Sequence, residues 1–326
     1  MKTGTCPEET RNREQEIIDQ LPAFGSEKIE NSALIAEMLE LQKEIANVAF
    51  NVTDSNARIW EVRDYLSQLN EEHGHAADAE LALFTQDSRV FANDIKALIS
   101  GKRGEDFTAR RLETLRSPHI ILRNVELESH GVHTELDFVI VTRKALFILE
   151  VKNTKKDIFI DENGNYFTIG KSERLDCNIR EKMKLREEIL TDVLRNAGIF
   201  NGKIVSLLVF TNNHLELQNE CRDLDATFLN RLPFKIDRYA GWNVYTENQF
   251  GDIKKAVEAA RITGTYKCDT DIRALKTDFA RLMVALEKPK KQSPKEIVSV
   301  AVAVAVAAAC NTVFGVLAKK KLQKSA

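Results

Sequence analysis

The chain has 326 residues, 43% hydrophobic and 29% charged, with a formal net charge of −2. That composition excludes wholesale disorder and allows roughly two domains, while the near-neutral charge excludes any global pull toward nucleic acid or an anionic membrane. Five scattered cysteines with no C-x-x-C pair argue against a disulfide framework or structural zinc and for reduced thiols in the cytoplasm.

Residues 1–30 read as a loose polar arm with one helical turn around Glu14 to Leu21, and without the apolar core of a signal peptide. Over 31–100 the pattern is helical. Leu34, Met38, Leu41, Ile45, Val48, Val52, Ser55, Ile59, Val62, Leu66 and Leu69 follow alternating steps of four and three, the spacing of a coiled-coil seam. The weak helix formers Asn51 to Asn56 predict a kink or a split, and a second helix is expected over Ala79–Ile99. Such a seam suits two arrangements: a homo-oligomer through a coiled coil, or a helical hairpin folded within one chain.

From 101 to 250 the signals alternate between helix and strand. "GEDFTARRLETL" predicts a helix and "IILRNVEL" a strand; "LDFVIV" and "ALFILEV" predict two more strands. A long helix over Ser172–Gly198, a buried strand "KIVSLLVFT" and a short strand "WNVYT" follow. Two helices, about Asp252–Arg261 and Asp271–Glu287, fill the region 251–288. The order predicts an α/β (α+β) fold, a central mixed sheet flanked by helices. A basic linker over 289–296 leads to the uncharged stretch 297–318. As a helix that stretch would be roughly 33 Å long, enough to span about 30 Å of hydrocarbon, so a C-terminal apolar helix and a membrane anchor are expected there.

The two central strands carry the chemistry. If Arg143 and Lys144 alone form the reversal, facing positions have a constant sum, and Asp137 lies opposite Glu150 while Glu135 lies opposite Lys152. Two carboxylates side by side repel unless a cation lies between them, and a hard divalent ion, Mg²⁺ or Mn²⁺, suits oxygen donors of this kind. Lys152 would then stand beside an attacking water or a building negative charge. A three-residue turn would place the acids on opposite faces and cancel the site. Upstream, Glu105 sits on the apolar stripe of its helix with Ala109, Leu112 and Leu115, where an acid is either a cap or a functional group.

"GKRGEDFTARRL", "TELDFVIV", "LFILEVKN", the helix around "CNIREK" and "VSLLVF" together resemble the nuclease-related domain (NERD) family, in the PD-(D/E)XK nuclease superfamily. The resemblance runs from about Gly101 to Tyr245. It implies a restriction-endonuclease-like fold, with Asp137 and Glu150 as metal ligands, Lys152 as catalytic lysine and Glu105 as an accessory acid. Where the family tends to have Asn-Pro-x-x-Gln, this chain reads Asn178, Ile179, Arg180, Glu181, Lys182, so a lysine keeps the donor and adds a charge.

Glu135 and Lys182 are further accessory candidates, and Arg180, Lys184 and Arg186 are candidates for phosphate contact. The pairs His73/His75 and His130/His133 each lack a third ligand and read as loop histidines; "DENGN", Asp161 to Asn165, reads as a β-turn of a hairpin with "YFTIG". The expected function is metal-dependent hydrolysis of nucleic acid, DNA in the first instance. The alternative is a non-catalytic membrane-tethered scaffold or nucleic-acid-binding protein that works through the coiled coil and the tail.

Overall fold

The computed structural model describes residues 7–24, 31–175, 177–199, 202–262 and 268–287. The apolar stretch 297–318 and the basic linker lie outside the described residues; among those described, no helix is long and apolar enough to cross a membrane. The chain divides into two compact units, one of Met1–Pro22, Leu41–Val90 and Thr270–Ala326, the other of Ala23–Glu40 and Phe91–Asp269.

The N-terminal half is helical: α1 (Pro7–Gln20), α2 (Asn31–Phe50), α3 (Ile59–Glu72) and α4 (Asp78–Leu112). In place of a loose arm with one turn, α1 is a full helix. It packs on α8 (Ile272–Glu287) with Ile17 buried and with Arg13 bonded to Glu287 Oε1 at 2.9 Å. The seam is split, not kinked, at 51–58, where Asn51 and Asp54 take left-handed backbone. Leu34, Met38, Leu41, Ile45, Ile59, Val62 and Leu66 are all buried within the single chain.

The break expected near Gly101 is absent, and α4 runs unbroken to Leu112. A Cβ on Gly101 would meet nothing within 4 Å, whereas one on Gly104 would lie 2.8 Å from Asn153 Cβ. Gly104 thus permits close approach of α4 to the sheet. Gly104→Ala should cost about 1–3 kcal/mol through this clash, while Gly101→Ala should gain up to about 1 kcal/mol from helix propensity. Urea unfolding of the two variants checks both signs.

The α/β unit is built on a five-stranded mixed sheet, order β1-β2-β3-β6-β8: β1 (His119–Ser129), β2 (Val132–Thr142), β3 (Leu146–Lys152), β6 (Ile204–Phe210), β8 (Asp225–Phe228). The first three strands are antiparallel and the last three parallel. A second sheet, order β5-β4-β7, holds β4 (Ile158–Ile160), β5 (Tyr166–Thr168) and β7 (Leu217–Asn219), so "YFT" does form a hairpin after the "DENGN" turn.

The near-continuous apolar runs of β2, β3 and β6 are buried on both faces, as parallel and central strands require. On one face, Leu146, Ile148, Leu208 and Phe210 pack with Ile179, Met183 and Leu190 of α5 (Ile179–Asn196) and with Phe250 and Ile253 of α7 (Glu247–Ala260). On the other, Phe147, Leu149, Leu207 and Val209 pack with Leu112 of α4 and with Leu232 and Ile236 of α6 (Leu232–Asp237). The strand expected at "WNVYT" is irregular chain, because Val244 and Tyr245 both direct their N–H groups to Arg143 O at 2.7 and 3.0 Å.

Candidate active site

The β2–β3 ladder pairs Val141 with Leu146, Ile140 with Phe147, Val139 with Ile148 and Phe138 with Leu149. The reversal is two residues, Arg143 and Lys144, closed by Thr142 N–H to Ala145 O at 3.1 Å. Continuing that register brings Asp137 level with Glu150. There the ladder stops, and the Asp137 side chain takes over: its Oδ2 accepts the Val151 N–H at 2.6 Å. The ladder ends before Glu135 reaches Lys152, and on the β1 side Glu135 pairs with Glu126.

Glu150 is 3% exposed in its side chain, and three cations converge on it. Lys182 Nζ donates to Oε1 at 3.0 Å, Lys152 Nζ lies 3.0 Å from the same oxygen, and Arg186 Nη1 donates to Oε2. Arg186 also reaches Asp137, with Nη2 3.8 Å from Oδ1. Lys152 stands 6.0 Å above the centroid of the Tyr166 ring. Arg186, by sequence a candidate for phosphate contact, is an internal group. It lies on the buried stripe Ile179, Met183, Arg186, Leu190 of α5, so it faces the sheet and not solvent.

The other two basic candidates on that helix do not join it. Arg180 Nη2 donates to Asp223 Oδ2, and Lys184 is exposed. The helix itself is placed by Asn178, whose side chain caps it by accepting the Glu181 N–H at 3.0 Å. The "DENGN" turn supports the same end, with Gly164 O accepting the Ile179 N–H at 2.9 Å. Gly164 has φ +86°, and a Cβ there would lie 2.4 Å from Arg180 Cβ, so only glycine fits. Asn153, the last residue of "EVKN", ties β3 to its surroundings: its Nδ2 donates to Ser100 O at 2.8 Å and its Oδ1 accepts from Thr211 Oγ1 at 2.6 Å.

Electrostatics follow from crowding. Burial first, and then the Glu150 charge, push Asp137 up to about 7. Burial works in the same direction on Glu150, but Arg186, Lys152 and Lys182 outweigh it and hold that carboxyl well below its usual range. Glu135 and Glu105 are both raised, chiefly by burial; Glu126 adds to the first, and a hydrogen bond from Asn124 opposes the second. Four carboxyls thus share one neighbourhood with three cations. The site has a surplus of hard oxygen donors, held partly out of water.

Residues 100–211 match the nuclease-related domain family. The match covers roughly a third of the chain and takes in every candidate residue named above. No curated protein and no solved structure matches the chain.

Does the region that matches the nuclease-related domain family suit a divalent ion? Among the described residues, no group of three or more His, Cys, Asp or Glu side chains is arranged to cage one. Mg²⁺, however, is usually held by one or two carboxylates plus water and substrate phosphate. Asp137 Oδ1 and Glu150 would be that pair, since the β2–β3 register brings them level. The donor chemistry fits. Arg186 bridges the same two acids and competes for the place.

Proposed function

We infer that the nuclease-related domain hydrolyses phosphodiester bonds of nucleic acid, DNA being the expected substrate, at the corner formed by Asp137, Glu150 and Lys152. The observation that carries this reading is the two-residue reversal at Arg143 and Lys144, whose register sets Asp137 level with Glu150. Asp137 and Glu150 would hold a Mg²⁺ or Mn²⁺ ion, which when bound supplies a Lewis acid for the phosphoryl oxygen and a more acidic water.

The chain's own groups do the rest. Lys152 and Lys182 place two ammonium groups at Glu150 Oε1, where each can turn a donor to a phosphate oxygen as charge builds on it. Val151 N–H fixes the Asp137 carboxylate on one oxygen and leaves the other turned toward Arg186. Glu105 and Glu135, both raised chiefly by burial, are within the same field and could exchange a proton through water.

One observation favours binding without cleavage, namely that Arg186 already bridges the acid pair. A single experiment decides between the two. Purified chain is incubated with Mg²⁺ or Mn²⁺ and labelled single- and double-stranded DNA and RNA, beside a Lys152→Ala variant. Metal-dependent cleavage that falls by about 10²–10³-fold in the variant supports hydrolysis. No cleavage of any substrate with either metal removes it and leaves the binding reading.

A further inference from the structure

The outer edge of the five-stranded sheet holds a second feature that the hydrolytic corner does not use. Among the described residues strand β8 pairs with β6 alone, and beside it and α6 lies a groove of about 690 Å³. Thr227, Phe228, Arg231, Phe234, Lys235 and Arg238 line it. Phe234 is 58% exposed, with the Arg238 guanidinium 4.3 Å from its ring centroid.

Charge there is one-sided. Arg231, Lys235 and Arg238 line the groove, and Asn230 of the same lining accepts a hydrogen bond on its carbonyl from Arg111 at 2.7 Å. Asp225 neutralises Lys235, while Asp237 is turned away to Ser117 and the Arg116 N–H, which leaves Arg231 and Arg238 as the surplus cations. Strand register locates the groove relative to the corner. Glu150 and Lys152 pair with Leu208 and Phe210, which pair in turn with Ala226 and Phe228. The groove therefore lies two strand spacings along the sheet from Glu150 and Lys152, at the carboxyl ends of three parallel strands, and opens toward the α6 face, whereas those two side chains point to the α5 face.

We propose that this groove binds a single-stranded stretch of nucleic acid, with phosphates on Arg231 and Arg238 and a base on the open face of Phe234. The proposal rests on the reading of the domain as one that acts on nucleic acid. Cations that follow a backbone, interleaved with an exposed aromatic ring, are the elements of sequence-tolerant single-strand binding.

The test measures binding apart from cleavage. The full chain in EDTA is titrated against fluorescein-labelled dT20 and against a blunt duplex, by anisotropy at several salt concentrations. Phe234→Ala should weaken dT20 binding about 10-fold with little change for the duplex. Arg231→Ala with Arg238→Ala should weaken both and lower the salt slope for dT20 by about 1.4. Arg231→Glu, an exposed charge reversal, repeats the test where a truncation perturbs folding, and melting curves show that each variant is folded.

Wild-type chain that fails to bind dT20 overturns the proposal, as do folded variants that bind like wild type. Binding through the groove with no cleavage under Mg²⁺ or Mn²⁺ keeps the groove and rejects the hydrolase. Cleavage with intact binding in the groove variants does the reverse.

Discussion

Asp137→Asn is expected to reduce metal-dependent cleavage by about 10³-fold and, in the same molecule, to raise stability above pH 7. The two effects have one origin. Asp137 is pushed up to about 7 by burial and by Glu150, from an ordinary value of 3.8. Between those values the native state binds more protons than the unfolded chain, so stability falls as pH rises from about 4 to about 7 and levels off beyond. Glu150 runs the opposite way. Its depressed value contributes stability above the ordinary carboxylate range, lost as pH falls below it.

Asparagine keeps an oxygen for the Val151 N–H and removes the charge that crowds Glu150. Loss of the 3.8 Å contact with Arg186 works against the gain, yet the raised value of Asp137 says that burial and repulsion win. Urea unfolding should therefore show the variant more stable by on the order of 2 kcal/mol at pH 8 and nearly equal to wild type at pH 5. A variant less stable than wild type at pH 8 would refute this account of the crowded pair.

What was legible in the sequence is the part that parity decides. Side chains alternate along a strand, so once Arg143 and Lys144 are taken as the whole reversal, the level of Asp137 and Glu150 follows from arithmetic, and the ladder from Phe138–Leu149 to Val141–Leu146 has that register. The pairing of Glu135 with Lys152 did not follow, because the ladder opens at Asp137, whose side chain takes the next backbone donor. Parity holds only while strands stay paired.

Helix periodicity was misread in two places for physical reasons. Gly101 and Gly104 look like a break, but glycine inside a helix also serves close packing: a Cβ on Gly104 would collide with Asn153, while one on Gly101 would meet open space. Arg186 looks like one more charge in a mixed run; its spacing from Ile179, Met183 and Leu190 puts it on the buried stripe. "WNVYT" has strand formers, yet its N–H groups are spent on Arg143 O at the hairpin turn. The polarity of 7–20 concealed a helix whose few apolar residues, Ile17 above all, are satisfied by α8, more than 250 positions away.

Arg186→Met is expected to have the largest effect on stability, a loss of about 3–5 kcal/mol, because it strips the closest cation from a carboxylate that is 3% exposed. Lys152 and Lys182 remain at Glu150 Oε1, which places the loss toward the lower end of that range. Adding Glu150→Gln should recover most of it, since a buried pair replaced on both sides leaves no uncompensated charge. The guanidinium is an imperfect occupant of its place: its Nε is buried without a hydrogen-bond partner, a cost of about 1–3 kcal/mol in itself. A small divalent ion would face no such mismatch. Mn²⁺ affinity, measured by calorimetry on folded protein, should therefore rise at least about 10-fold in Arg186→Met, the methionine vacating the charge that competes for Asp137 and Glu150. Unchanged or weaker Mn²⁺ binding in a folded Arg186→Met protein would mean that the arginine holds the acids apart from any metal role, and the corner would then be one that the chain neutralises for itself.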